Sequence, residues 1–165
     1  MIIYYTRSNK TKVFAEALHG VLDMPLYELK SDLDDMGSLK FLAKATSMVF
    51  SGKGYPVTNM PEHVPEEIYL CGPIWGGSLV GPPRYFLNNI DLSKTKVNIL
   101  LTASTPVEKY KKQALEYLTQ INCLPGNAYI FATASKNMPE LDVVIAQLTE
   151  ILQEDSLAGS DPQVK

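Results

Sequence analysis

The sequence predicts a single α/β domain in which a parallel β-sheet carries helices on both faces. Short apolar runs recur along the 165 residues, and their nearly continuous apolar character is typical of strands buried on both faces. Longer stretches with helical spacing of apolar residues lie between these runs, and such alternation implies crossover connections between parallel strands. With 45% hydrophobic residues, the chain can bury one core but is too short for two domains of ordinary size.

Five apolar runs predict the strands, and the second of them is the weakest. The runs are Ile2 to Tyr5, Leu26 to Leu29, Ile68 to Cys71, Val97 to Leu101 and Tyr129 to Ala132. Because Gly72 and Pro73 follow the third run, we expect that strand to end at Cys71 and to lead into a turn.

Five stretches predict the helices. They are Phe14 to Leu22, Leu39 to Phe50, Arg84 to Asn88, Tyr110 to Ile121 and Leu141 to Ile151. The segment Ser51 to Pro65, with its glycines and prolines, is expected to be a long loop that is either functional or mobile. We assign residues 1–153 to the domain and the polar residues 154–165 to a C-terminal tail.

Composition and residue spacing exclude several classes of function. A net charge of -3 gives no basic field for nucleic acid. No apolar stretch is long enough to cross a bilayer, and no signal peptide opens the chain, so we expect a cytoplasmic protein without a membrane partner. The two cysteines form neither a disulfide framework nor a metal cluster. We find no spacing typical of a hydrolytic triad or of metal ligands, so we predict no catalytic residue and no metal site.

The loop after the first strand is rich in hydroxyl groups and cations. It reads Thr6-Arg7-Ser8-Asn9-Lys10-Thr11 and leads into the first predicted helix. Free backbone N–H groups and the helix dipole favour negative charge at that position, so this loop predicts an anion site, with phosphate the natural ligand. The alternative is that Ser8 or Thr11 only caps the helix.

Two motifs give the chain a resemblance to a known family. Thr6-x-Ser8-Asn9-x-Thr11 resembles the phosphate loop of the flavodoxin family, whose usual form is Ser/Thr-x-Thr-Gly-x-Thr. The stretch Gly72 to Gly77, followed by Pro82 to Leu87, resembles that family's third strand, flavin loop and next helix. The resemblance covers roughly Met1 to Leu152. It implies a short-chain flavodoxin-like protein: an open five-stranded parallel sheet in the order 2-1-3-4-5, with FMN at the carboxyl ends of strands 1, 3 and 4.

The resemblance also implies which residues would hold the FMN phosphate. The hydroxyls of Thr6, Ser8 and Thr11 would bind it, together with backbone N–H groups from Arg7 through Thr11. Asn9 stands where the family usually has Gly, so we expect a left-handed backbone or a close approach of the backbone to the ligand there. Asn tolerates the left-handed conformation better than most residues. We expect Arg7 to point into solvent. For Lys10 two alternatives stay open: its side chain neutralises the phosphate, or it also points into solvent.

Two further loops would hold the isoalloxazine ring by the same resemblance. In the first, Trp75 would stack on the ring or shield its dimethylbenzene edge, and a peptide at Gly76 or Gly77 would rotate to accept a hydrogen bond from N5–H. The alternative is that Trp75 is ordinary core. The second would contact the pyrimidine side. The residues of the two loops are Pro73, Ile74, Trp75, Gly76 and Gly77, then Thr102, Ala103, Ser104 and Thr105.

Three functions are compatible with these residues. The first is an FMN-binding electron carrier, a monomer that exchanges electrons with a reductase and an acceptor protein. The second is a flavodoxin-like quinone reductase that uses NAD(P)H. The third is a domain that keeps the fold and has lost flavin. Two departures from the family pattern motivate it, Asn9 and the altered loop that begins at Thr102.

Overall fold

The computed structural model describes residues 1–133 and 140–158. Its helices and strands alternate along the described chain as the sequence predicts. In chain order they are β1 (Ile2–Tyr4), α1 (Lys10–Leu22), β2 (Leu26–Glu28), α2 (Ser38–Ser51), β3 (Glu67–Trp75), β4 (Ser78–Leu79), α3 (Pro82–Asn89), β5 (Leu92–Ala103), α4 (Glu108–Leu118), β6 (Cys123–Ala132) and α5 (Leu141–Ala158).

The long strands form one parallel sheet in the order β2-β1-β3-β5-β6. This is the predicted 2-1-3-4-5 order, because the short β4 lies off the path and pairs only with β3, in the antiparallel sense. The order reverses between β1 and β3, which are neighbours in the sheet although β2 separates them in the chain. A crevice for a ligand is expected outside the carboxyl ends of these strands, where the order switches.

Apolar side chains bury both faces of the sheet, as the continuous apolar runs predict. On one face, alternate residues of the strands such as Ile3, Leu70 and Ile99 pack in a cluster that also receives residues of α3 and α4. On the other face, Ile2 and Leu100 pack with residues of α1 and α5. The sheet is therefore a rigid platform for the loops that leave its carboxyl edge.

The third strand is longer than the sequence predicts. The expectation that it ends at Cys71 is wrong, because β3 continues through Gly72 and Pro73 to Trp75. Cys71 accepts the backbone N–H of Tyr5, so its peptide groups face β1. Pro73 lies two residues further along β3 and therefore faces the same side, where proline is tolerated because β1 has ended. The last pairing of β1 with β3 is that of Tyr4 with Cys71, so the N–H that Pro73 lacks would have had no strand partner.

The long loop between α2 and β3 lies along the outer edge of β2. The side-chain oxygen of Asn59 accepts the backbone N–H of Lys30 at 2.6 Å, and its amide nitrogen donates to the backbone oxygen of Glu28 at 2.8 Å. The Ser31 hydroxyl donates to the backbone oxygen of Pro56 at 2.9 Å. These bonds satisfy polar groups of an otherwise exposed sheet edge, so this part of the loop has a structural role.

The final helix continues past the predicted domain boundary, because α5 extends to Ala158. Its Asp155 accepts a hydrogen bond from the Tyr129 hydroxyl at 2.6 Å and so contacts β6. The remaining residues of the predicted tail lie outside the described part of the chain. None of the described helices is long and apolar enough to cross a bilayer.

Candidate functional site

The loop after β1 enters α1 through a residue with left-handed backbone. Asn9, the residue before α1, has φ of 60° and ψ of -2°, so the left-handed conformation predicted for it is confirmed. Its side chain makes no capping hydrogen bond to the helix. The Asn9 side chain therefore does not cap the backbone N–H groups of the first turn of α1, and these groups remain able to bind an anion.

Two buried threonine hydroxyls link this loop to the sheet. Oγ1 of Thr11 lies 2.8 Å from Oγ1 of Thr102, near the end of β5, and both residues are almost fully buried. Thr11 therefore does not cap the helix, and the capping alternative is not found for it. Because one hydroxyl donates to the other, a single hydrogen of the pair remains available to another acceptor.

A third hydroxyl in the same loop is buried without any hydrogen-bond partner. It is Oγ1 of Thr6, the residue two positions beyond the end of β1, and the residue is only 9% exposed. A buried hydroxyl that forms no hydrogen bond costs about 1 to 3 kcal/mol, which makes such groups rare in proteins. Ser8, by contrast, is exposed at the tip of the loop.

The two cations of the loop differ in how they are held. Arg7 is exposed, as expected, but its guanidinium lies 3.9 Å from the ring centroid of Phe41, and its Nη2 donates to the backbone oxygen of Met36 at 2.7 Å. Nζ of Lys10 lies 3.4 Å from the backbone oxygen of Thr133. Arg7 therefore packs on α2, whereas the Lys10 side chain reaches toward the carboxyl end of β6.

The predicted flavin loop is a tight β-hairpin. Ile74 pairs with Leu79 and Trp75 with Ser78, so Gly76 and Gly77 alone form the turn between β3 and β4. Their φ angles are 54° and 84°, positive at both central positions as a type I′ turn requires. A side chain at Gly76 would also meet a methyl group of Val49 at 2.8 Å. These positions therefore require glycine for turn geometry and, at Gly76, for space.

The indole of Trp75 is half-buried and packs between the sheet and α2. Its ring makes edge-on contacts with Phe41, at 4.9 Å between centroids, and with Tyr5, at 5.9 Å. It also covers Gly81, where an added Cβ would lie 2.9 Å from Cζ3 of the indole. The structure thus places Trp75 near the carboxyl edge but in contact with protein, as its core alternative predicts, and stacking on a flavin stays a prediction.

The third loop contributes both buried and exposed groups to this edge. Thr102 and Ala103 are buried in β5, and their register partners in β6 are Phe131 and Ala132. Ser104 and Thr105 are exposed where the strand has ended. The hydroxyl of Thr102 points to Thr11, so only the exposed pair offers hydroxyls free of that bond.

A buried tyrosine next to the site was missed by the sequence analysis. Tyr5 is fully buried, and its hydroxyl donates to Oδ1 of Asp34 at 2.9 Å. Burial first, and then the bond to Asp34, raise the pKa of Tyr5 well above its ordinary value, so the hydroxyl stays protonated. The other oxygen of Asp34 accepts the backbone N–H of Ser31 at 3.1 Å. Asp34 is itself exposed, and through these two bonds it holds the loop after β2.

The described residues offer little chemistry of their own. They contain no group of three His, Cys, Asp or Glu side chains that could hold a metal ion. Burial raises the pKa of the Cys71 thiol far above its ordinary value, so Cys71 is a neutral core residue. What the carboxyl edge assembles is a hydroxyl-lined helix start, a glycine turn and aromatic rings, which suits binding of a ligand with an anionic group and a flat ring.

Comparison with known proteins identifies the fold. No protein-family model and no curated protein sequence matches the chain. A candidate flavoprotein from Bacteroides uniformis ATCC 8492 superposes with a TM-score of 0.64 at 18% identity, over 90% of this chain and 96% of that one. Another, from Bacteroides eggerthii DSM 20697, gives 0.66 at 14% identity, over 92% and 96%.

A third match is to a structure that contains a ligand. It is a flavoprotein in complex with FMN from Lactobacillus acidophilus NCFM, with a TM-score of 0.61 at 20% identity over 78% of this chain and 90% of that one. At such identities the matches show the fold, which is flavodoxin-like, with a parallel sheet and helices on both faces.

Proposed function

We propose that this protein is a short-chain member of the flavodoxin family that binds FMN at the carboxyl edge of its sheet and carries electrons. The observation that carries the proposal is the buried, unpartnered hydroxyl of Thr6. It lies in the loop that leads into α1, where backbone N–H groups attract an anion. A phosphate oxygen accepting from Thr6 would remove the cost of that unpaired group.

The other parts of the site support the same ligand. Thr11, Ser8 and backbone N–H groups from Arg7 to Thr11 would complete the phosphate cradle, because the left-handed Asn9 turns the chain there. Lys10 would supply a cation. Several structures with the same fold are described as flavoproteins, and one of them contains FMN, which adds support at the level of the fold.

The glycine turn and the third loop would hold the flavin ring. Gly76 and Gly77 would lie beside the ring together with Pro73, Ile74 and Trp75. Thr102, Ala103, Ser104 and Thr105 would lie on its pyrimidine side, where exposed Ser104 and Thr105 can donate. FMN supplies one- and two-electron chemistry when bound, and the residues around it would orient the ring and set its potential.

A carrier role places the redox partners outside this chain. We propose a cytoplasmic monomer that receives electrons from a reductase and passes them to an acceptor protein. The test is whether a purified sample with FMN reduces a quinone when given NAD(P)H alone. Quinone reduction without an added reductase would mean that the protein is a stand-alone reductase and not an electron carrier.

The experiment that tests FMN binding compares the wild-type protein with Thr6→Val. Binding of FMN by the wild type should quench flavin fluorescence. In Thr6→Val the dissociation constant should rise about tenfold or more, since a hydrogen bond to a charged group is lost. The flavin-free variant should be as stable as the wild type or more so, because a buried unsatisfied hydroxyl has been removed.

The conservative variant Thr6→Ser is the control, because it keeps the hydroxyl and should keep most of the affinity. If the wild type leaves FMN fluorescence unchanged, the proposed function is wrong. If Thr6→Val binds FMN as tightly as the wild type, the phosphate does not bind at Thr6.

A further inference from the structure

A cavity lies beside the hairpin, between α3 and α4, and it borders the proposed flavin site at Ile74 and Gly77. Its two charged residues, Arg84 and Glu116, are not part of that site. Its volume is about 230 Å³. Ile74, Leu79 and Ala114 give it apolar walls, and the rings of Tyr110 and Tyr117 line it as well. A cavity of this size and lining suits a small ligand with an apolar or aromatic body.

The cavity contains an unusually placed cation. Arg84, from the first turn of α3, lies with its guanidinium carbon 4.0 Å from the ring centroid of Tyr117. Its Nη1 donates to the backbone oxygen of Leu79 at the long distance of 3.5 Å. Its Nε is buried and has no hydrogen-bond partner. Within residues 1–133 and 140–158, no carboxylate forms a salt bridge with Arg84.

An incompletely bonded guanidinium in a cavity points to an anion as the missing partner. A charged group removed from water is costly unless its donors are satisfied. The guanidinium fork matches the two oxygens of a carboxylate, and such bonds are stronger than neutral ones. Since Nε is a donor without an acceptor, a bound oxyanion would satisfy it.

The electrostatics of the cavity favour a single negative charge. Arg84 is the one cation among the residues that line it, and the one anion among them is Glu116. The Glu116 side chain is 59% exposed and lies 3.9 Å from Nζ of Lys112, so it borders the cavity rather than neutralising Arg84. A dianion such as phosphate would be repelled by Glu116 and attracted by only one positive charge, that of Arg84.

We propose that this cavity binds a small monocarboxylate with an apolar or aromatic body, its carboxylate on Arg84 and its body against the apolar walls. Gly77 of the hairpin and Tyr110 also line the cavity. If FMN occupies the edge as proposed above, the bound molecule would lie next to the flavin ring as a second reactant or effector. That last step alone rests on the proposed function.

The test uses the full chain and benzoate as the probe, with binding measured by calorimetry in the absence and presence of FMN. The wild type should bind benzoate more tightly than benzyl alcohol or inorganic phosphate. Arg84→Gln should weaken benzoate binding about tenfold or more, and Arg84→Lys should keep part of the affinity. Glu116→Gln should tighten binding, and it keeps the proposal testable should the Arg84 variants not fold.

Lys44 gives a control, because it is a cation on an aromatic ring in another part of the protein. Its Nζ lies 5.3 Å from the ring centroid of Tyr55, and Lys44 neither lines the cavity nor belongs to the proposed flavin site, so Lys44→Gln should leave benzoate affinity unchanged. The proposal is overturned if the wild type does not bind benzoate, if Arg84→Gln binds it as well as the wild type does, or if phosphate binds as tightly. Benzoate binding without any FMN binding would uphold this cavity while refuting the flavin. Mutual exclusion of the two ligands would make the cavity part of the ring site and so contradict a separate site.

Discussion

The hydroxyl oxygens of Thr11 and Thr102 lie 2.8 Å apart in the buried interior, 91 positions apart in the chain. Their hydrogen bond joins the first turn of α1 to the end of β5. The loop after β1 and the loop after β5 are therefore held at a fixed separation before any ligand binds. Preorganisation of this kind lowers the entropic cost of closing two loops around one ligand.

A double-mutant cycle at these two residues should show strong coupling. Thr11→Val or Thr102→Val alone leaves one buried hydroxyl unpaired, so each should lower the free energy of unfolding by about 1 to 3 kcal/mol. Thr11→Val combined with Thr102→Val removes both hydroxyls and keeps the shape, so it should be much less destabilising than the two changes added. Urea unfolding of the four proteins without flavin measures the coupling.

The same four proteins separate structure from ligand binding. If Thr11 also contacts the FMN phosphate, the double variant should bind FMN more weakly even though it folds well. Thr46→Val provides a control, because the Thr46 hydroxyl donates within its own helix, to the backbone oxygen of Leu42. Additive single effects would mean that the two hydroxyls are not energetically coupled.

The alternation of strands and helices follows from the sequence because buried parallel strands and amphipathic helices have distinct apolar periods. The order of the strands in the sheet does not follow from those periods, and the resemblance to the flavodoxin family implied it. Asn9 was predictable as well, since a left-handed residue at that loop position needs Gly or a substitute for it. The extension of β3 through Pro73 was not, because it depends on where β1 ends rather than on any local pattern. The Tyr5 to Asp34 bond was hidden for a similar reason, as it joins loops that only the fold brings together.

Asn9 should be replaceable by glycine without loss of function. Glycine adopts positive φ at no steric cost, so Asn9→Gly should be at least as stable as the wild type and should bind FMN equally or more tightly. Asn9→Ala should lose about 1 kcal/mol, because alanine tolerates the left-handed region poorly. Thermal unfolding and FMN titration of both variants measure these effects.

Asp23 is the natural control for Asn9. It is the other described residue besides glycine with positive φ, at 51°, and it ends α1 at the opposite end from Asn9. Asp23→Gly should therefore also be at least as stable as the wild type, and it should leave FMN affinity unchanged. A large loss of FMN affinity in Asn9→Gly would reveal a role for the asparagine side chain itself.

Trp75 should contribute to stability even without a flavin, because its indole packs on Phe41 and Tyr5. We expect Trp75→Ala to lower the free energy of unfolding of the flavin-free protein by about 2 kcal/mol, less than for a fully buried aromatic residue. If the indole also borders the ring, FMN affinity should fall by about 1 kcal/mol or more. Chemical unfolding and FMN titration measure the two effects separately.

Phe41→Leu is the comparison for Trp75, since it removes an edge-on contact while leaving the indole in place. It should destabilise the protein without a comparable loss of FMN affinity. Unchanged FMN affinity in Trp75→Ala would assign the indole to the protein core alone.

Glu67 should make stability depend on pH in the acid range. Its Oε1 accepts a hydrogen bond from Asn98 Nδ2 at 3.0 Å and lies 3.1 Å from Nζ of Lys96. Partial burial pushes the pKa of Glu67 upward, but the bonds from Asn98 and Lys96 outweigh it and hold the pKa below the ordinary value of 4.5. A carboxyl whose pKa is lowered by folding stabilises the protein above its unfolded pKa, and this stabilisation is lost as the pH falls through its folded pKa.

The wild type should therefore be more stable than Glu67→Gln near neutral pH, by about 0.5 kcal/mol as for other partly exposed pairs. The difference should shrink below a pH of about 4.5 and disappear once Glu67 is protonated in both the folded and unfolded states. Urea unfolding across this range measures it. The control is Glu66→Gln, because Glu66 is exposed and forms no salt bridge within the described part of the chain. If Glu67→Gln were equally destabilising at every pH, its effect would come from packing rather than from the carboxylate charge.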